Sequence, residues 1–351
     1  MAEPRACILS VSGQTLTAGE KALFSRTSPW GVILMGRSCG TPDQVRALTQ
    51  EIWSACGREA LIFIDQEGGR VRRLRPPNWP DFPAPGKYAA IYKHDQSLGR
   101  EAVWLHHRLI AAELEPMGIR ADCAPVVDLH HRGAHEIVGD RSFGETPDQV
   151  GVLARAALEG LAAGGVAGVI KHMPGHGRAE TDTHESLPVV RASREAMAMD
   201  IAAFKAVSDA PMGMTAHIAY TAFDGERAAT VSEAIIGGVI RAQIGFEGLL
   251  MTDDLGMKAL GGTLADRANR ALTAGCDVVL HCSGFVKEPD GILAEMTEVA
   301  GACPPLSGEA LWRAKNAEKS AAKPEPFDRE QGWERLHKLL SQSSPSGTAA
   351  A

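Results

Sequence analysis

The sequence predicts a single-domain α/β protein, a (β/α)8 barrel. Three observations carry that reading. Eight short apolar runs recur along the chain, with helix-like periodicity between most of them. Strands that alternate with helices build a parallel sheet covered on both faces, and eight such units are the number that closes a barrel. No GxGxxG follows the first run, which removes the usual dinucleotide-binding reading of the rival, an open doubly wound sheet. Several runs also end in a titratable residue, as expected at the rim where barrel enzymes carry their chemistry.

The first run is Cys7 to Val11 and the second Trp30 to Met35. Thr41 then caps a helix with Pro42 in its first turn. The third run, Leu61 to Ile64, leads into Asp65-Gln66-Glu67-Gly68-Gly69-Arg70, and a Pro-rich loop spans Pro76 to Pro85. A helix from Ser97 to Met117 stops at Gly118, before the fourth run, Ile119 to Ala124, and Pro125-Val126-Val127-Asp128. A polar loop holds Gly139-Asp140-Arg141-Ser142-Phe143, and a helix opens at Thr146-Pro147-Asp148. The fifth run is Val166 to Ile170, followed by Lys171, His172 and a loop rich in His, Gly and Pro. The sixth is Pro211 to Ala216, ending at His217; the seventh is Gly248 to Thr252, ending at Asp253-Asp254; the eighth is Asp277 to Leu280. Helices precede the last three runs, at Arg194 to Val207, Ser232 to Ile244 and Ala265 to Ala274. Residues 1–300 are therefore expected to form the barrel, 301–340 a helical extension packed on it or trailing it, and 341–351 a disordered tail.

Composition narrows the function classes. With 351 residues and 44% apolar content the chain has ample material for a core. A net charge of −7 argues against nucleic acid or an anionic membrane as partner. No run approaches the length of a membrane span, and the N-terminus lacks the pattern of a signal peptide. Seven scattered cysteines without CxxC fit free thiols in a reducing cytoplasm. Neither GxSxG nor a P-loop occurs. His172, His176 and His184 have a spacing that binds metal mainly on a helix, which Pro174 and its glycine neighbours disfavour. No metal and no cofactor is expected.

Reading each run at its exit collects Asp65, Lys171, His172, His217, Asp253 and Asp254 at one rim. Asp182 lies two residues before His184. A carboxylate on an imidazole fixes its tautomer and raises its basicity, so such a histidine can protonate a leaving group and later deprotonate water. A strand-end aspartate can serve as nucleophile. A carboxylate nucleophile with a separate acid/base is the logic of retaining glycoside hydrolysis, here with an Asp-His pair in place of the second carboxylate. Chemistry alone leaves either Asp253 or Asp254 as that nucleophile.

Lys171-His172-Met173-Pro174-Gly175-His176-Gly177 followed by Asp182-Thr183-His184 resembles the signature loop of glycoside hydrolase family 3, in its β-N-acetylglucosaminidase branch. Asp65 to Arg73, Gly139 to Phe143, Met214 to His217 and Thr252 to Met257 are similar to further motifs of that family, in its order. The resemblance implies a cytoplasmic retaining β-N-acetylglucosaminidase acting on GlcNAc-1,6-anhydro-MurNAc peptides in cell-wall recycling; a monomer is expected. It implies Asp253 as nucleophile, His184 as acid/base with Asp182 as its partner, and Asp65, Arg73, Arg141, Lys171, His172 and His217 around the sugar. Asp254 is then a supporting or helix-capping residue, His176 orients the loop and Glu67 is structural. Two departures stand out: the Arg178-Ala179-Glu180 segment and the extension after residue 300. The alternatives are a family 3 phosphorylase, a non-catalytic sugar-binding barrel and, more weakly, a β-glucosidase.

Overall fold

Every apolar run predicted from the sequence becomes a strand of one closed barrel. The computed structural model describes residues 3–179 and 187–342. The barrel strands are β1 (Arg5–Leu9), β2 (Pro29–Leu34), β3 (Leu61–Ile64), β4 (Ala121–Asp122), β5 (Ala167–Met173), β6 (Met212–Thr215), β7 (Leu249–Asp254) and β8 (Val278–His281). Each pairs in parallel with its sequence neighbours, and β8 returns to β1 through Cys7–Val279 and Leu9–His281. β2, β3 and β5 are buried along their whole length. That explains why they read as unbroken apolar runs: in a parallel sheet both faces of a strand are covered.

The strand boundaries differ from the sequence reading in one respect that matters for chemistry. β5 extends through Lys171 and His172 to Met173, and β7 through Asp253 and Asp254. Hydropathy ends a run at the first charge, but the ladder continues through residues whose side chains face the rim.

The surrounding helices are α1 (Ala18–Thr27), α2 (Pro42–Cys56), α3 (Gly86–His94), α4 (Gln96–Leu114), α5 (Pro147–Ala163), α6 (Arg194–Lys205), α7 (Leu264–Ala274) and α8 (Pro289–Ala302). Between α6 and α7 a turn at Glu233–Ile235 widens into a π-helix at Ile236–Ile244, where an ordinary helix was expected. Local signals start and stop several of them. Thr41 accepts a hydrogen bond from the Gln44 N–H at 3.3 Å, Thr263 forms a capping box with Asp266, and Gly57 ends α2 in the left-handed region at φ 67°. α1, α3 and α8 escape the sequence reading. α1 has no clear apolar stripe (AGEKALFSRT), and α3 follows a Pro-rich loop that masks its start.

Beyond residue 300, α9 (Gly308–Ser320) and α10 (Arg329–Gln342) pack on the outside of the barrel. Trp30 Nε1 donates to Glu318 at 2.9 Å, Arg313 reaches Asp277 at 3.1 Å, and Arg335 grips both oxygens of Glu101 at 2.7 and 2.6 Å. Leu336 and Leu339 are buried. Because α10 seals apolar surface of the barrel, Leu336→Ala should lower the unfolding free energy by about 2–5 kcal/mol. A urea transition matching wild type would show that α10 is only an appendage.

Candidate active site

A cavity of about 370 Å3 opens at the C-terminal ends of the strands and is lined by Asp65, Arg73, Arg141, Lys171, His172, His176, Asp253 and Asp254, with Met35, Met257 and Phe285 among its apolar lining. A larger hollow of about 700 Å3 lies at the other end, between β2 and α9. Two of its three arginines are spent on backbone carbonyls, Arg5 on Ala300 and Cys303 and Arg58 on Pro29 and Trp30. The chemistry therefore belongs to the smaller cavity.

One wall is an unbroken chain of opposite charges. Arg73 bonds Asp65 at 2.7 Å, Asp65 bonds Lys171 at 3.1 Å, Lys171 stands 2.7 Å from Glu67, and Glu67 takes both Arg141 Nε and Nη2 at 2.8 Å. The Lys171 side chain is 3% exposed and that of Glu67 1%. Burial alone would raise the two carboxyls. Lys171 and Arg73 outweigh it and hold Asp65 well below the usual carboxylate range, while Arg141 and Lys171 hold Glu67 at about 2. Burial would conversely lower Lys171, but Glu67 and Asp65 raise it above its ordinary value. All five groups are charged at neutral pH.

A hairpin makes this possible. Gln66–Gly68 pairs with Val71–Arg72 directly after β3, so the chain folds back over the rim. Gly68 sits at φ 94°, and a Cβ there would overlap the Pro83 carbonyl oxygen. Gln66 ties the turn by accepting from the Arg73 and Leu74 N–H groups, each at 3.0 Å.

The second wall is organised by Asp128. Its carboxylate accepts from His172 Nδ1 at 2.7 Å and from the His176 N–H at 2.6 Å. The His172 N–H adds bonds to both of its oxygens at 3.2 and 3.3 Å. An anion on Nδ1 requires the proton there, which leaves Nε2 as the other functional nitrogen of His172. The sequence reading passed over Asp128, although an acidic residue after an apolar run was available as a signal; Pro125 broke the run and hid it.

Asp253 and Asp254 part company. Asp254 is buried, and its Oδ1 accepts from the Gly256 and Cys282 N–H groups, each at 2.9 Å, which clamps the exit of β8 to β7. Burial raises its pKa. Burial would raise Asp253 as well, but His172, His217, the Asp254 N–H and Lys171 bring it below the ordinary value. Asp253 is thus the ionised carboxylate at the end of β7, and Asp254 the structural one.

His217 is placed differently from the expectation that it touches substrate. It is fully buried, with Nδ1 bonded to Thr230 Oγ1 at 2.7 Å and Nε2 to the Asp254 carbonyl oxygen at 3.0 Å. It stands behind Asp253 and is absent from the cavity lining. Asp182 and His184 lie outside the described residues. The loop that leads toward them is fastened up to Ala179. Arg178 donates to Asp200 at 2.7 Å and to the Ala196 carbonyl at 2.9 Å, and His131 shares Asp200 at 2.9 Å. Gly177 packs so closely on Leu129 that a Cβ would overlap its carbonyl oxygen.

Two buried polar atoms in the lining, Arg73 Nε and His176 Nδ1, have no hydrogen-bond partner among the described residues. Buried polar groups are normally satisfied, so unpaired ones in a cavity wall are groups that a polar ligand can complete. No group of three or more metal-binding side chains is found among the described residues. The arrangement presents cations and anions to an array of hydroxyls, with one ionised carboxylate across from them.

Comparison with known proteins agrees with this arrangement. Residues 10–302 match the glycosyl hydrolase family 3 N-terminal domain. A beta-hexosaminidase from Alkalilimnicola ehrlichii is 40% identical over 281 residues, 79% of this chain and 80% of the relative. One from Bordetella avium is 35% identical over 285 residues, 80% of this chain and 81% of the relative. The crystal structure of NagZ from Neisseria gonorrhoeae in complex with N-trifluoroacetyl-D-glucosamine has a TM-score of 0.83 at 29% identity, covering 98% of this chain and 99% of that one.

The charged wall has a consequence for acid stability. Carboxyls depressed on folding stabilise the protein above their unfolded values, and that contribution is lost as pH falls through the folded ones. Glu67 shifts from 4.5 to about 2, and Asp65 falls further below its ordinary 3.8. The urea midpoint should hold above about pH 5 and decline steadily below it. Asp65→Asn should cost about 3–5 kcal/mol at neutral pH and flatten the decline. An unchanged slope in the variant would remove Asp65 from this account.

Proposed function

The chain belongs to glycosyl hydrolase family 3, and from that membership we propose that it is a retaining β-N-acetylglucosaminidase working through a glycosyl-Asp253 intermediate. It is a glycoside hydrolase of the beta-hexosaminidase kind. The observation that carries the finer reading is Asp253: a carboxylate kept ionised at a strand end, in the same cavity as Asp65, Arg73, Arg141, Lys171 and His172.

In this mechanism the retained sugar binds with its hydroxyls on the charged wall. An ionised carboxylate can accept from two hydroxyls at once, and the guanidinium and ammonium groups donate. Asp253 attacks the anomeric carbon while the glycosidic oxygen leaves with a proton from His184. Asp182 holds the imidazole in the tautomer that can give it. In the second half His184 takes a proton from water, the water oxygen attacks the anomeric carbon, and Asp253 leaves as carboxylate. His217 contributes from behind as a buried imidazole, which burial keeps neutral, its Nε2 bonded to the Asp254 carbonyl oxygen beside the nucleophile.

The N-acetyl preference is supported by the gonococcal relative, whose crystal structure holds an N-acylated glucosamine. The proposed natural substrate is a GlcNAc-1,6-anhydro-MurNAc peptide, cleaved in the cytoplasm by a monomer. A histidine acid/base suits an aglycone carrying its own carboxylate, which a second Asp or Glu would repel.

Hydrolysis of aryl β-GlcNAc substrates tests the assignment. Asp253→Ala should abolish measurable turnover. His184→Ala should lower kcat by about 10²–10⁴-fold on poor leaving groups and far less on activated ones. Near-normal rates in Asp253→Ala would overturn the nucleophile, and a defect independent of the leaving group would overturn His184 as the acid. GlcNAc-1-phosphate as the main product in phosphate buffer would turn the reading to a phosphorylase.

A further inference from the structure

Glu67 is absent from the cavity lining, yet it is bonded to two side chains that form it. Its aim is fixed from both directions. The hairpin after β3 sets its backbone, and its carbonyl oxygen is 3.1 Å from His106 Nε2. A carbonyl only accepts, so Nε2 carries the proton, and Nδ1 must then accept from the Tyr88 hydroxyl at 2.6 Å. His106 and Tyr88 are fully buried. The fold thus uses a buried Tyr-His pair to hold the backbone of one residue whose carboxylate lies behind the cavity wall.

What that carboxylate does follows from charge. Along Arg73, Asp65, Lys171, Glu67 and Arg141 the signs alternate, leaving one uncompensated cation, and Asp253 faces it across the cavity. Hydroxyls need donors and acceptors but no net charge. Were Glu67 neutral, the Arg141 fork would lose its bidentate partner beside a buried ammonium. A guanidinium so exposed in a water-poor pocket is a strong site for carboxylate, sulfate or phosphate groups.

We propose that Glu67 is a specificity-determining positioning residue: it orients Arg141 and Lys171 toward sugar hydroxyls and cancels charge so that the cavity takes neutral sugars over anionic ones. The proposal rests on the cavity being a sugar site, as argued above. An ordinary structural ion pair would also lose stability when broken, but it would not change which ligands are admitted.

The test reads binding without turnover, by calorimetry with GlcNAc and with inorganic sulfate, on wild type, Glu67→Gln and Glu67→Asp. Sulfate is chosen because it carries the charge of phosphate without serving as a glycosyl acceptor. Glu67→Gln should weaken GlcNAc about 10-fold or more and tighten sulfate by a similar factor, the size expected for a charge-assisted bidentate contact. Glu67→Asp keeps the charge on a shorter stem, so it should weaken GlcNAc while leaving sulfate as in wild type. Wild-type sulfate affinity in a folded Glu67→Gln would overturn the proposal. If that variant does not fold, the aspartate variant decides: wild-type GlcNAc affinity, or a gain in sulfate affinity, would overturn it. A wild-type chain that binds GlcNAc but cleaves no N-acetylglucosaminide would sink the hydrolase reading alone.

Discussion

Lys171 carries a nearly fully buried ammonium, and the two carboxylates that stabilise it come from the segment after β3, more than a hundred residues away in sequence. An ammonium taken out of water is tolerable only when it is paired and hydrogen-bonded. Here the requirement is met twice, and each partner is itself met by an arginine. The result is a network in which no member can move alone. It joins the exits of β3 and β5 to the loop at Gly139–Arg141, and so sets the width of the cavity wall. Breaking it at any point strands a charge in a place with little water to receive it.

This constraint explains the local oddities of the rim. The Gln66–Gly68 hairpin has to fold back over the barrel to bring Glu67 inward, which forces Gly68 against Pro83 and His106. The loop after β5 must hug Leu129, which leaves no room for a side chain at Gly177. Asp128 plays the same part on the other wall that Glu67 plays on the first. It orders His172 and the start of the loop without lining the cavity. Both walls are therefore built in two layers, one facing the ligand and one holding the first in place.

The fold was legible in the sequence because burial on both faces turns each strand into an apolar run, and parallel barrels bury both faces of all their strands. Asp65, Lys171, His172 and Asp253 were legible as rim residues for a related reason: a charge directly after such a run has nowhere to go but the rim. What the sequence hid are residues whose role depends on partners distant in the chain. Glu67 and Asp128 look like ordinary turn acids until the fold sets an arginine or a histidine against them. His217 misleads in the opposite direction. It occupies a rim position by sequence, but Thr230 and the Asp254 carbonyl saturate both of its nitrogens and turn it into support. α1 and α3 were missed because neither carries a clean apolar stripe, so periodicity had little to register.

The division of labour between Asp253 and Asp254 shows how position along a strand decides chemistry. Successive residues on a strand point to opposite sides, so adjacent identical residues meet different surroundings. Asp254 turns toward β8 and spends an oxygen on the Gly256 and Cys282 N–H groups, in a setting where burial favours its neutral form. Asp253 turns toward the cavity, where His172, His217 and Lys171 favour its anion. In the proposed mechanism the nucleophile must be both ionised and uncrowded, and the pair divides these demands. One aspartate fixes the backbone of β7 and β8, and the other is left with an anionic carboxylate facing a wall whose three cations Glu67 and Asp65 reduce to a single net positive charge.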